Sequence, residues 1–167
     1  MKKILGLVLA LVMILTAVSA FAAVPSKTTA DLVKVTSDNQ NVTVTVTDND
    51  SAVVTGLLTA LMENNEIPAA AAAVLPEGST YKKVEEAATL KITGGTAEKD
   101  LVVNLEFPTN FAGKKVAVFL GVLDNGKIAE WKGVETVGKN DGSIDLILTG
   151  EIQDWLNGRE FIALFAV

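Results

Sequence analysis

The architecture follows most directly from VAVFLGVLDNG, residues 116–126. Residues 116–123 carry no polar side chain, so a strand here would be buried on both faces, which is typical of a central strand. Asn125-Gly126 follows almost at once, and this pair suits the positive-φ positions of a tight turn between antiparallel strands. The stretch therefore predicts a hairpin whose second strand covers residues 127–132.

The chain on either side of this hairpin also alternates between apolar and polar residues. Residues 101–107 place four apolar side chains on one face of a strand. Residues 143–149 and 159–167 predict two further strands, and residues 150–157 predict one or two helical turns between them. We therefore expect residues 96–167 to form an antiparallel, β-sandwich-like (Ig-like) module.

Residues 23–95 predict a mixed segment of strands and helices. Two alternating strands, residues 32–36 and 41–47, are expected to pair as a hairpin around a turn at residues 37–40. The elements expected after this N-terminal hairpin are a helix over 51–64, a short helix over 68–74 opened by Pro68, a loop or single turn over 81–86, and a strand over 88–93. The fold class expected for the whole chain is α+β and mostly β.

Residues 1–22 have the organisation of a bacterial signal peptide. A positive start, Lys2-Lys3, precedes an uncharged apolar run over residues 4–18, shorter than the roughly 20 residues that span a bilayer. The small-x-small pattern Ala20-Phe21-Ala22 predicts cleavage after Ala22, so that the mature chain begins at Ala23. We expect a protein that is secreted or held at the outer side of the cell envelope, with no membrane segment after cleavage.

The composition excludes several classes of chemistry. The chain has no histidine and no cysteine. The usual general base, thiol nucleophile, thiolate metal site and disulfide are therefore absent. Fourteen Lys+Arg residues, less Lys2 and Lys3, leave 12 against 20 Asp+Glu, a net charge of −8 for the mature chain. Since an acidic surface repels phosphate backbones, we expect no nucleic-acid partner, and also no catalytic residue, cofactor or metal.

Four short stretches carry a resemblance to a known group of proteins: VPSKTTADL at 24–32, GKKVAVFLG at 113–121, NGKI at 125–128 and DGSI at 141–144. With the apolar strand that closes the chain, they resemble uncharacterised small exported proteins of Gram-positive gut anaerobes that have a β-sandwich-like C-terminal module. The resemblance implies an architecture and export. It implies no activity, because turn and strand residues specify a fold and not a chemistry.

Carboxylate pairs are the remaining route to hydrolysis. Asp48/Asp50, Glu85-Glu86 and Asp141/Asp145 are close in sequence, but each is more simply explained as a helix cap, a solvated face or a turn. Asp48-Asn49-Asp50 and Asn140-Asp141 offer oxygen ligands for calcium. Neither continues into an EF-hand loop, which would need a glycine at its sixth position and a glutamate at its twelfth.

The two tryptophans are the remaining candidates for a binding role. Trp131 lies between Glu130 and Lys132, on the strand face opposite Ile128, where it would either stack on a sugar ring or pack at the edge of a core. The pattern favours packing. Trp155 is expected in the core, beside Ile152 on the predicted helix.

The sequence thus favours an exported, non-enzymatic protein with a structural, adhesive or ligand-binding role. Its partner would be an envelope or extracellular glycan or protein. One alternative is a polysaccharide-binding module that uses Trp131. A second is a carboxylate-based glycan hydrolase, which requires two acids within about 10 Å of each other in a cleft.

Overall fold

The computed structural model describes residues 34–39, 41–47, 56, 66–75, 78–94, 98–125 and 127–167. The predicted signal peptide, with Ala20, Ala22 and Ala23, lies outside these ranges, and so does the predicted helix over 51–64 apart from Gly56. The elements of the described ranges are β1 (Lys34–Ser37), β2 (Thr43–Val46), α1 (Ala69–Ala72), β3 (Val84–Thr93), β4 (Leu101–Glu106), β5 (Lys115–Asp124), β6 (Lys127–Val137), β7 (Ile144–Leu148), α2 (Gly150–Leu156) and β8 (Glu160–Ala166).

The strands form two antiparallel sheets, which confirms a mostly β fold and is consistent with a sandwich-like arrangement. One sheet has the order β1-β4-β7 and the other the order β2-β3-β8-β5-β6. Each sheet combines strands from before and after residue 95, so the two expected segments contribute to a common pair of sheets. Among the described residues, no helix is long and apolar enough to cross a membrane.

The hairpin predicted from residues 116–126 is confirmed. β5 and β6 pair from Asp124↔Lys127 outward, and Asn125 has the positive φ of 49° that the turn requires. β5 lies between β6 and β8, which agrees with its predicted place inside a sheet. β6 continues to Val137, five residues beyond the predicted end, because its pairing with β5 extends to Lys115↔Val137.

The predicted N-terminal hairpin is wrong. β1 pairs with β4 and β2 pairs with β3, so the two strands belong to different sheets. The connecting residues turn across the sandwich because local polar groups bond their own backbone: the Asn39 N–H donates to Ser37 Oγ over 3.1 Å, and the Asn41 N–H donates to Asn39 Oδ1 over 3.0 Å. Asp38 then bonds the backbone of Val102 in both directions, which holds this crossing against β4.

The loop or turn expected over residues 81–86 is also partly wrong, since β3 begins at Val84. β3 starts early because its pairing with β8 extends as far as Val84↔Ala166. This pairing includes a register shift between Val84 and Glu86. The short helix expected over 68–74 is confirmed in a reduced form, Ala69–Ala72, with Pro68 immediately before it.

The main core lies between the two sheets. The inner faces of β5 and β8 supply Val116, Val118, Leu120, Phe161 and Phe165, and β4 and β7 cover them from the other sheet. The predicted helix over 150–157 is observed as α2, and it contributes the fully buried Leu156. The buried Gln153 amide donates to the carbonyl oxygens of Lys99 and Leu148, which fixes α2 at one end of the sandwich.

A candidate binding groove on the outer sheet face

The five-stranded sheet also buries its outer face. This second cluster includes Ala87, Ala117, Phe119, Ile162, Leu164 and Ala166. Ala71 of α1 is completely buried against it, and Ile67, Leu75 and Tyr81 pack around it. Residues 67–75 and Tyr81 therefore cover part of a sheet face that would otherwise be exposed and apolar.

Gly133 marks the place where this covering segment crosses β6. A Cβ atom at Gly133 would lie 2.8 Å from Leu75 Cδ2 and 3.2 Å from the Val74 carbonyl oxygen. A methyl group there would require the Leu75 side chain to move and Val74 to shift slightly. Trp131 and Glu135 flank Gly133 at two-residue spacing and so share its face of β6. The crossing therefore separates Trp131 on one side from Glu135 on the other.

A hydrogen-bonded cluster forms around the Glu135 carboxylate. The Tyr81 hydroxyl donates to Glu135 Oε1 over 2.8 Å, and the Ser79 hydroxyl donates to the same oxygen over 3.2 Å. Oε2 of Glu135 accepts no hydrogen bond from any described residue. Burial, together with the hydrogen bond and the negative charge of Glu135, raises the pKa of Tyr81 to about 12. Tyr81 therefore remains a protonated donor at any physiological pH.

Two cavities meet at this cluster. The first, of about 370 Å³, has the apolar side chains of Ile67, Leu75 and Phe119 in its lining. The second, of about 450 Å³, is lined by Lys115 and Glu135. Gly78, Ser79 and Tyr81 line both. We call these two cavities together the outer groove.

Lys115 and Glu135 are diagonal neighbours in the outer groove. The strand register sets Lys115 opposite Val137 and Ala117 opposite Glu135, and this diagonal separation is within reach of long side chains. Both residues are among those described, yet no ion pair joins them. The hydroxyls of Tyr81 and Ser79 hold the Glu135 carboxylate instead. The groove thus presents one positive and one negative group that do not form an ion pair with each other.

Trp131 lies on the same outer face, partly buried against Gly121. A Cβ atom at Gly121 would lie 2.8 Å from Trp131 Cζ3 and 3.0 Å from Ile128 Cγ2. Trp131 and Ile128 therefore share a face, and the prediction that they point in opposite directions is wrong. A register shift between Val122 and Leu123 leaves Ala129 without a partner, and such a bulge reverses the alternation of side chains that follow it.

Trp155 is partly buried and not fully in the core as expected. Its indole N–H donates to Glu130 Oε2 over 2.9 Å, and the Lys132 ammonium lies 5.2 Å from its ring centroid. Lys132 also pairs with Glu151 over 2.7 Å. The sequence pattern placed Trp155 in the core because it gave no sign of Glu130, the distant residue that accepts the indole hydrogen bond.

Asp141 and Asp145, one of the suggested carboxylate pairs, lie in a network of hydrogen bonds. Asp141 Oδ1 accepts from the Ser143 hydroxyl over 2.7 Å and from the Ser143 N–H over 3.0 Å. These bonds lower the pKa of Asp141. Asp145 accepts from the Asn104 amide over 2.7 Å and pairs with Lys139 over 3.3 Å. Both carboxylates thus act as acceptors that order the turn before β7.

The pair Glu85-Glu86 is divided between two environments. Glu85 pairs with Lys83 over 2.6 Å at the surface. Glu86 is 5% exposed, and the Thr109 hydroxyl donates to its Oε1. The third suggested pair, Asp48/Asp50, lies outside the described residues, as does the calcium candidate Asp48-Asn49-Asp50.

A cavity of about 370 Å³ near the turn before β7 contains two carboxylates that the sequence did not suggest as a pair. Glu106 and Asp141 both line it, together with Thr109, Asn110 and Ser143. Glu106 is paired with Lys34 over 3.0 Å, and Asp141 is held by Ser143. In the part of the chain that the structure describes, no three acidic side chains lie close enough together to hold a metal ion.

Sequence reasoning missed the outer groove as a site. Tyr81 is the only tyrosine of the chain, which is a weak signal. The hydrogen bond from Tyr81 to Glu135 spans 54 residues, so no local pattern relates the two. Comparison of the chain with protein-family models, with curated proteins and with solved structures gives no match.

Proposed function

We propose that this protein is an exported, non-enzymatic ligand-binding module of the envelope or extracellular medium, and that the outer groove is its binding site. The observation that carries the proposal is the Glu135 carboxylate. Two hydroxyls hold one of its oxygens, and Lys115 lines the same cavity as Glu135. Fixed polar groups beside apolar walls are the usual composition of a small-molecule site.

Export belongs to the same proposal and is supported by the signal-peptide pattern of residues 1–22. The Ig-like description of residues 96–167 also belongs to it, supported by the antiparallel two-sheet arrangement. The side of the groove formed by Lys115, Phe119 and Glu135 lies on the paired strands β5 and β6, and sites on strands hold their geometry more precisely than sites on loops.

A polysaccharide-binding module is the second candidate, and the position of Trp131 favours it. Trp131 is partly exposed on the outer face, and Glu135 lies four residues further along the same face of β6. Stacking of a sugar ring on an indole, with hydrogen bonds to a nearby carboxylate, is a common arrangement. In this case the ligand would span the crossing at Gly133.

The glycan-hydrolase alternative has less support. Hydrolysis with two carboxylates needs one of them protonated at working pH, which requires a raised pKa. In the cavity shared by Glu106 and Asp141, the pKa of Asp141 is lowered by Ser143 and Glu106 is paired with Lys34. The lowered pKa of Asp141 makes this carboxyl a poor proton donor at working pH.

The test is a nitrogen-labelled NMR titration of the protein secreted from the full chain. The ligand panel would contain amino acids, short peptides and oligosaccharides. We expect at least one class to shift the amide signals of Ser79, Tyr81 and Glu135 without unfolding the protein. Shifts centred on the Trp131 indole would favour the second candidate. If no compound shifts either group, the proposal fails.

A further inference from the structure

We infer that the outer groove binds a small zwitterion with an apolar side chain, such as an apolar α-amino acid, either free or as a dipeptide. This inference rests on the proposed function and names the ligand class for the same site. Its basis is the adjoining arrangement of one carboxylate, one ammonium group and one cavity with several apolar residues in its lining.

The charged cavity provides the first part of the match. Glu135 Oε2 is an acceptor without a described donor, and it suits a ligand ammonium group. Lys115 lines the same cavity as a strand neighbour of Glu135, and it suits a ligand carboxylate. Among the described residues neither group takes part in an ion pair, so binding does not require such a pair to be broken.

The neighbouring cavity, whose lining combines apolar residues with Ser79 and Tyr81, provides the second part. Ile67, Leu75 and the fully buried Phe119 contribute to its lining, and Tyr81 lies where it meets the charged cavity. Its volume of about 370 Å³ is at the lower end of the usual range for small-molecule sites. An aliphatic side chain attached to the charged main chain of an amino acid would enter this cavity while the charged groups remain beside Glu135 and Lys115.

Electrostatics favours a zwitterion over a neutral or anionic ligand. A neutral ligand would remove water from Glu135 and Lys115 without compensating either charge, which is unfavourable. An anion would meet the field of a chain whose net charge is −6. A zwitterion has no net charge, and it places the opposite charge beside each of the two groups.

The inference is tested with ligands that lack one charge at a time. Isothermal titration calorimetry would compare leucine and leucyl-leucine with leucinamide, which has no carboxylate, with N-acetylleucine, which has no ammonium group, and with a neutral oligosaccharide. We expect leucine or leucyl-leucine to bind most tightly. Removal of either charge should weaken binding about tenfold, since a charge-assisted hydrogen bond contributes roughly that factor.

Two variants then assign each ligand charge to its partner. Glu135→Gln should weaken binding of leucine and leucinamide but leave N-acetylleucine unaffected. Lys115→Met should weaken binding of leucine and N-acetylleucine but leave leucinamide unaffected. Lys34→Met and Glu106→Gln are the matched controls, because this pair has the same residue types on the other sheet. Neither control should change any affinity.

The result also separates this inference from the proposed function. If the oligosaccharide binds in the outer groove and leucine and leucyl-leucine do not, the inference of a zwitterionic ligand is wrong. The proposed ligand-binding role then remains. If the four leucine compounds bind equally, the charges do not select the ligand and the inference is overturned. If no probe binds and no groove signal moves by NMR, both proposals fail.

Discussion

Gly121 on β5 and Trp131 on β6 are directly paired, and the indole occupies the space that a side chain on Gly121 would need. A Cβ atom at position 121 would lie 2.8 Å from Trp131 Cζ3, closer than carbon atoms approach in proteins. Gly121 has an ordinary strand conformation with no positive φ, so its lack of a side chain serves packing and not a turn.

Gly121→Ala should therefore destabilise the protein by about 1–3 kcal/mol, the range for overpacking a filled site. Urea unfolding followed by circular dichroism measures the change. Trp131→Leu removes the obstructing ring, and in that background Gly121→Ala should have a much smaller effect. Equal effects in the two backgrounds would show that the indole is not what excludes the methyl group.

Tyr81 should ionise with a pKa of about 12, against an ordinary value of 10. Because Tyr81 is the only tyrosine, the tyrosinate absorbance during an alkaline titration reports this residue alone. The folded state holds the proton more tightly than the unfolded state, so this contribution to stability is complete below pH 10 and is lost between about pH 10 and 12. Glu135→Gln should move the pKa back toward 10. An unchanged value in that variant would argue against a role for Glu135.

Thr109→Val should destabilise the protein by about 1–3 kcal/mol, since it leaves the buried Glu86 carboxylate without its hydroxyl donor. Thermal or urea unfolding provides the measurement. Thr109→Ser keeps the hydroxyl and is the matched control, with a smaller expected loss. Replacement of both partners, Glu86→Leu with Thr109→Val, should recover part of the stability, because no polar group is then left unpaired.

Expression of the full chain in a secreting Gram-positive host should yield a product that begins at Ala23. Intact-mass analysis of the protein from the medium or envelope measures this directly. Ala22→Arg places a large charge at the predicted cleavage position and should cause accumulation of the uncleaved precursor. Recovery of mature protein at the same level from that variant would show that cleavage occurs elsewhere.

The sequence predicted those parts of the fold that depend on neighbouring residues. The β5–β6 hairpin could be predicted because Asn125-Gly126 specifies the turn and an unbroken apolar strand precedes it. The helix α2 could be predicted from its apolar spacing between two strands. The hairpin pairs two strands that are separated only by a turn, and the helix pattern is carried by its own residues.

The errors arose where partners are distant or where alternation fails. β1 and β2 are close in sequence and have the pattern of a hairpin. In the structure, however, β1 pairs with β4 and β2 pairs with β3. The bulge at Ala129 places Ile128 and Trp131 on the same face, and no residue in that stretch signals it. The Tyr81–Glu135 contact depends on a chain crossing at Gly133, which only the tertiary structure defines.

The place of β8 in its sheet has a consequence for biogenesis. Residues 160–166 form the last strand in chain order, yet they lie between β3 and β5 and hydrogen-bond to both. Until the ribosome has released these residues, the larger sheet has a gap at its middle and its two halves have no common partner. The two halves of the larger sheet can therefore join only after residues 160–166 have been synthesised.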